Sequence, residues 1–436
     1  MAGVEFDIKK DTKRKGIEPT QVKSIKLLTP LEKGSDNDGT GKNFNQDGAV
    51  FGKTYKFIVD TYTHLPPKDK KKIKWKFKYH SLSKNKWVEY TSPKTGEEYS
   101  LYLNEKDICG RTLHIMAYIN DEESEGYLKV WHHNRFRFFD RKLVEKQAEE
   151  RAKDPWKVKQ ANSSLCGMAA LYNALIKRSS SSYLKIVKDL LRTGQCTIGS
   201  YVIAPHPQAL EMYDVNPQKT QDFKGMGMFE VDWLVLATTR SKESTSNLIY
   251  KGKESGRMDM LKAVNWPDML ARMGKQVGGF SSSTAHGLSY NSINNKKRIL
   301  SGRIHDYFSN SDLEELLVID GLHKKGRHIL MMIDADMIYN KSSYSSLADV
   351  FNDSHWVVYE GGLTFYDADK NPTSDLEKAA SVSFKIFTWG RDPQTGKYLT
   401  LGGKWENDAD VQKMIGKPGL NIKSFKSNYY GYIEMY

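Results

Sequence analysis

Residues 72–79, Lys-Ile-Lys-Trp-Lys-Phe-Lys-Tyr, alternate without a break. On an extended chain Ile73, Trp75, Phe77 and Tyr79 share one side, and Lys72, Lys74, Lys76 and Lys78 share the other. Successive strand side chains point to opposite faces, so this run reads as a strand with one buried and one solvated face. On a helix the same pattern would scatter its aromatic rings around the axis. A lysine row of this kind could also hold phosphates, but strict alternation is the mark of a solvated sheet face.

Similar runs surround it. Strands are expected at Tyr55–Tyr62, Tyr99–Leu103, Thr112–Ile119 and Tyr127–Trp131, separated by the turn-rich stretches GSDNDGTGKN, THLPPKDK, SPKTGEE and NDEESEG. Short strands at this spacing predict an antiparallel β-sandwich over residues 1–140. Residues 141–155 then change character: they are charged, rich in helix formers and closed by Pro155. They read as a helical linker. From Trp156 to Tyr436 helical and strand-like runs mix. Helices are expected at Gly167–Lys177, Tyr183–Arg192, Pro267–Met273 and Leu313–Val318. Strands are expected at Trp233–Ala237, Ile329–Ile333, Trp356–Tyr359 and Ser383–Thr388, with a long loop over 275–302. The fold class is α+β, in two domains.

The 24 Tyr, 17 Phe and 9 Trp exceed what a disordered chain sustains and supply material for two cores. The formal charge of +13 favours polyanionic surroundings, but Lys-rich solvated faces account for it without a nucleic-acid partner, and none is expected. No apolar run is long enough to span a membrane. The first fifteen residues lack the apolar core of a signal peptide, so the chain is expected to be made in the cytoplasm and, if exported, to leave without a cleaved signal. Three cysteines, Cys109, Cys166 and Cys196, do not make a disulfide framework. There is no CxxC pair, HExxH or phosphate-binding glycine loop, so no metal or cofactor is expected.

The segment most charged with chemistry is QANSSLCGMAALYNALIK, residues 160–177. Cys166 opens a helix in which Met168, Leu171 and Leu175 share a face, with Asn162, Ser163 and Ser164 as candidate caps. A helix N-terminus favours thiolate over thiol. Gly167 reads as room for a substrate beside the sulfur. Gln160, six residues upstream, has an amide that can donate to an oxyanion. Cys109 precedes a strand-like run and Cys196 lies in a turn, so neither rivals Cys166.

A Gln, five residues, then Cys-Gly opening a helix resembles the papain-like cysteine peptidases, and Cys-Gly-Met-Ala-Ala-Leu is most similar to their bacteriocin-processing branch. The resemblance implies Cys166 as nucleophile and Gln160 as oxyanion donor. It implies a base at the head of a downstream strand that later turns at glycine. His355, followed by Trp356-Val357-Val358 and Gly361-Gly362, fits, with His328 the competitor. A third residue would orient the imidazole: Asp367 is expected, with Asp369 as the fallback. The run FKIFTWG resembles the papain Asn-Ser-Trp-Gly strand, except that Phe387 occupies the asparagine position.

The first domain has its own resemblance. SIKLLTPLEKGSDNDGTGKNF, IKWKFKY, CGRTLHIMAYI and WHHNRFRFF are similar to an immunoglobulin-like module of effectors of Bacteroidota type VI secretion. This implies a carrier domain joined to a toxic enzyme delivered into a target cell, a carrier in the secretion machinery and a cognate immunity protein. Asn134, Arg135, Phe136 and Arg137 would be structural or docking residues. The expected function is that of an antibacterial cysteine peptidase or amidase acting on protein or on peptidoglycan peptides. A deamidase or acyltransferase on the same pair, or an inactive binding component, are the alternatives.

Overall fold

The computed structural model describes residues 19–41, 43–160, 163–213, 228–244, 249–252, 254, 265–288, 311–339, 354–388 and 413–436. The chain forms two compact units, residues 1–32 with 47–133, and residues 33–46 with 134–436. It mixes helix and sheet, the α+β class expected.

The two main sheets of the first unit are antiparallel, with one parallel bridge between Ala49 and His132. Strands β1 (Val22–Leu27), β4 (Thr54–Tyr62) and β7 (Glu98–Tyr102) form one sheet in the order β1-β4-β7. Strands β5 (Lys74–Ser81), β6 (Lys86–Thr95), β8 (Arg111–Tyr118) and β9 (Gly126–His132) form a second in the order β6-β5-β8-β9. The short strands β2 (Glu32–Gly34) and β3 (Gln46–Gly48) mark where the chain leaves this unit and re-enters it. One core serves both sheets. The alternation of residues 72–79 is realised in it: Ile73, Trp75 and Tyr79 are buried. Trp75 stacks on Tyr99 of the other sheet at 5.4 Å and donates Nε1–H to the Gly96 carbonyl. On the opposite face Lys76 is held between Glu89 and Glu122.

The boundary falls earlier than expected, and the expected linker is a packed helix. Helix α1 (Arg141–Lys153) belongs to the second unit and buries Val144, Gln147, Ala148 and Arg151. Arg151 is 2 % exposed and makes a two-pronged bond to Asp232, Nε to Oδ1 at 2.9 Å and Nη2 to Oδ2 at 2.8 Å. Asn134–Arg137, expected as structural or docking residues, open the second segment of that unit. Phe136 is buried against Phe139 and Trp233, and Arg135 and Arg137 both grip Glu211.

Helices α2 (Cys166–Arg178) and α3 (Ser180–Thr193) follow, then the hairpin β10 (Cys196–Ile198) and β11 (Tyr201–Ile203). The expected strand at 233–237 is helical instead. Trp233–Ala237 is a π turn between Glu230–Asp232 and Thr238–Lys242, and all five of its residues are buried. A short apolar run does not distinguish a buried strand from a buried helical turn.

After α4 (Pro267–Gln276) comes an eight-stranded antiparallel sheet. Its strands are β12 (Ser283–His286), β13 (His328–Asp334), β14 (Ser354–Tyr359), β15 (Thr364–Tyr366), β16 (Pro372–Thr373), β17 (Ser381–Phe387), β18 (Lys413–Asn421) and β19 (Tyr429–Met435). The order is β12-β19-β13-β14-β17-β15-β16, with β18 also paired to β17. Alternation divides the sheet between two cores. Trp356 and Val358 join the core built on α2 and α3, while Val357 and Tyr359 join one shared with α5 (Ser311–Lys324) and α6 (Ile422–Asn428). The strand β12 interrupts the expected 275–302 loop, of which residues 289–302 lie outside the described residues.

Candidate active site

Helix α2 is central rather than amphipathic: every residue from Cys166 to Ile176 is buried. Its Ala-, Leu- and Met-rich sequence suits a helix wrapped on all sides. No local side chain caps it. Leu165 is the N-cap and makes no capping bond, Ser163 turns its hydroxyl to the Gln160 carbonyl, and Asn162 lies outside the described residues.

The cap comes from 97 residues away. Asn265 accepts the Met168 N–H on Oδ1 at 2.6 Å, and its Nδ2 reaches the Ser164 carbonyl at 3.4 Å. Its own carbonyl accepts Trp356 Nε1–H at 3.0 Å. One buried asparagine thus ties the start of α2 to strand β14. This also explains Gly167. A Cβ there would sit 2.6 Å from both Asn265 Cβ and Leu270 Cδ1, so the glycine admits Asn265, not a substrate as expected.

Cys166 is 9 % exposed. Burial is the largest influence on its thiol and pushes it up to about 11. The backbone N–H groups of Trp356, Gly167 and Cys166 itself face the sulfur and pull the other way without offsetting burial. The helix start therefore does not yield the resting thiolate that its position suggested.

Trp356, whose Nε1–H reaches the Asn265 carbonyl, follows directly on the expected base. His355 sits opposite Ile333 of β13. Its Nε2 is 2.8 Å from the Thr388 hydroxyl, just past the end of β17, and Thr388 is buried. Phe387, at the position where the resemblance implies an asparagine, packs on Trp156 at 5.1 Å and takes no part.

The structure does not bring Asp367 or Asp369 to the histidine. Both lie in the turn between β15 and β16, where the Asp367 carboxylate accepts the N–H groups of Asp369 and Asn371, each at 2.9 Å. Tyr366 pairs with Ser381, at the far end of β17 from Thr388. Seven residues of extended strand separate those ends, roughly 23 Å. His328 is likewise remote, opposite Met435 at the other end of β13, with its ring against Phe280. Burial, then Lys177, pushes it down to about 4.

Gln160 is buried in the turn that leads to α2, and its Oε1 is buried with no hydrogen-bond partner among the described residues. Cys109 and Cys196 are buried and, like Cys166, form no disulfide among the described residues. Among the described residues no group of three or more His, Cys, Asp or Glu is placed to hold a metal, and no helix is long and apolar enough to cross a membrane.

Sequence reasoning missed Asn265 and Thr388. Thr388 is one place from the residue that was compared with asparagine, so a shift of register in FKIFTWG would have found it. Nothing near Asn265 announces its role. Compared with protein-family models, curated proteins and solved structures, the chain matches none.

Proposed function

We propose that the second unit is a papain-like cysteine hydrolase that cleaves peptide or amide bonds through a thioester on Cys166. The observation that supports this reading is Asn265, which caps the start of α2 at Met168 and accepts Trp356 Nε1–H, tying the helix that Cys166 opens to the residue after His355. In the reaction the thiol proton passes to His355 and sulfur bonds to the substrate carbonyl carbon. The amine then leaves with a proton from His355, and water releases the acid. The Gln160 amide is the donor for the oxyanion.

The delivery half of the reading rests on the likeness of residues 15–140 to an immunoglobulin-like carrier module of type VI secretion. On that basis the protein is an antibacterial effector with a secretion carrier and an immunity partner, and its substrate is protein or wall peptide. One feature favours a second reading, a binding component without activity: burial pushes the Cys166 thiol up, away from the thiolate.

Expression of the full chain in a bacterium separates the two. The parent is expected to arrest growth in the periplasm if wall peptides are cut, or in the cytoplasm if proteins are, and Cys166→Ala to restore it. An alanine variant as toxic as the parent would replace catalysis with binding.

A further inference from the structure

On the side of β5 away from the core, strand register sets basic and aromatic residues beside one another. Lys78 lies opposite His114 of β8, and His114 opposite Lys129 of β9. Lys74 lies opposite Tyr118, and His80 opposite Trp87 of β6. The rings of Trp87, His114 and Tyr127 run across this face, with successive centroids 5.0 Å and 5.7 Å apart. Trp87 is 50 % exposed and Tyr127 46 %. A lysine stands by each of three rings: Lys78 Nζ is 5.8 Å from the centre of Trp87, Lys129 5.9 Å from Tyr127 and Lys74 5.9 Å from Tyr118. We propose that this face of the first unit binds single-stranded nucleic acid, with bases on the exposed rings and phosphates on Lys74, Lys78 and Lys129.

Charge selects an anion as the occupant. Lys74, Lys78 and Lys129 form no ion pair among the described residues, whereas Lys53, Lys70 and Lys76 of the same unit are all paired. Glu89 and Glu122, which reach the face, are both engaged by Lys76. His114 sits in the field that remains: burial, then Lys129 and Lys78, pushes it below its ordinary value. A solvated lysine row by itself calls for no ligand, and the sequence leads to no such expectation. The rings add what the lysines lack. A nucleotide brings a flat base and a phosphate together, and here an exposed ring and an ammonium group stand together. An acidic peptide supplies the charge without a flat ring in every repeat. An acidic glycan asks for amide and carboxylate partners for its hydroxyls, and the carboxylates at this face are taken. Stacking on a ring is tolerant of sequence, so binding without base preference is expected.

The test is fluorescence anisotropy with the full-length chain and a labelled oligodeoxyadenylate of about twelve nucleotides. Affinity should fall with salt with a log–log slope of about −2, as for three phosphates of a single strand. Trp87→Ala should weaken binding about 5- to 100-fold. Lys129→Gln should weaken it and reduce the slope by about 0.7. Tyr90, as exposed as Trp87 but opposite Phe77 on the core side of β6, is the control, and Tyr90→Ala should bind as the parent does. A parent that does not bind the oligonucleotide overturns the proposal. So do folded Trp87→Ala and Lys129→Gln variants with parental affinity, which place the strand on another surface. Inorganic polyphosphate that competes as well as the oligonucleotide removes the rings from the site and overturns it too. Binding to vesicles of anionic phospholipid, with none to the oligonucleotide, gives the face to a membrane surface instead. None of these outcomes bears on the hydrolase reading of the second unit.

Discussion

Cys166 carries two opposed influences on one atom. Three backbone N–H groups face its sulfur, yet burial dominates and pushes the thiol up to about 11. At neutral pH that leaves about one thiolate in ten thousand. Alkylation of Cys166 by iodoacetamide should therefore be slow at pH 7 and climb about tenfold per pH unit, with no plateau below about pH 10. Peptide mapping after timed labelling checks this. A plateau reached by pH 6 would mean a standing thiolate–imidazolium pair and would refute the neutral resting state. The nucleophile was legible because its signals are local: a glutamine six residues upstream and a good helix downstream. Its supports were not. Asn265 reaches Met168 across 97 positions and Thr388 reaches His355 across 33, and no local pattern encodes a hydrogen bond at such separation. Asp367 failed for the opposite reason. It lies near in sequence to the histidine strand, but its carboxylate serves its own turn.

At the scale of elements, period-two runs were read well and charged runs poorly. The strands at 54–62, 74–81, 98–102, 111–118 and 126–132 lie within a few residues of expectation, because one face of each meets a core. The charges of residues 141–155 suggest a helical linker, but one of them is interior. Arg151 reaches Asp232 with two nitrogens, and a third accompanies it to the Gln147 carbonyl at 3.2 Å. The pair ties α1 to the helical run starting at Glu230, where Gln147 also bonds the Glu230 carboxylate. Burying two charges contributes little net stability, but removing one partner leaves the other uncompensated. Asp232→Ala is expected to cost about 3–5 kcal/mol in urea unfolding. The double variant Arg151→Met with Asp232→Ala should recover a good part of that loss. If Asp232→Ala unfolds at the parental urea concentration, α1 is held by its apolar face alone.

Each unit holds a histidine that burial pushes far below its ordinary value. His132, at the end of β9 in the first unit, is fully buried, and neither ring nitrogen has a hydrogen-bond partner among the described residues. Burial pushes it down to about 3, partly opposed by the backbone at His133 and His132. His328 in the second unit is pushed down to about 4 by burial and then by Lys177. The sign follows from where protons bind. Below the ordinary histidine value of about 6.5 the unfolded chain takes up a proton at each site and the folded chain does not, so stability present at neutral pH is lost as the pH falls. The loss begins near 6.5 and continues to about 3 for His132 and about 4 for His328. At pH 5 it amounts to about 2 kcal/mol for His132, and less for His328, whose ring water partly reaches. His132→Leu removes both the titration and an unpaired polar ring from a dry core. The full chain should therefore melt lower at pH 5 than at pH 7.5, and His132→Leu should flatten that difference in the transition of the first unit only. His328→Leu should flatten it in the second. If His132→Leu leaves the pH dependence of the first unit unchanged, the ring is already protonated in the folded chain, and a partner that neutralises its charge must lie beside it.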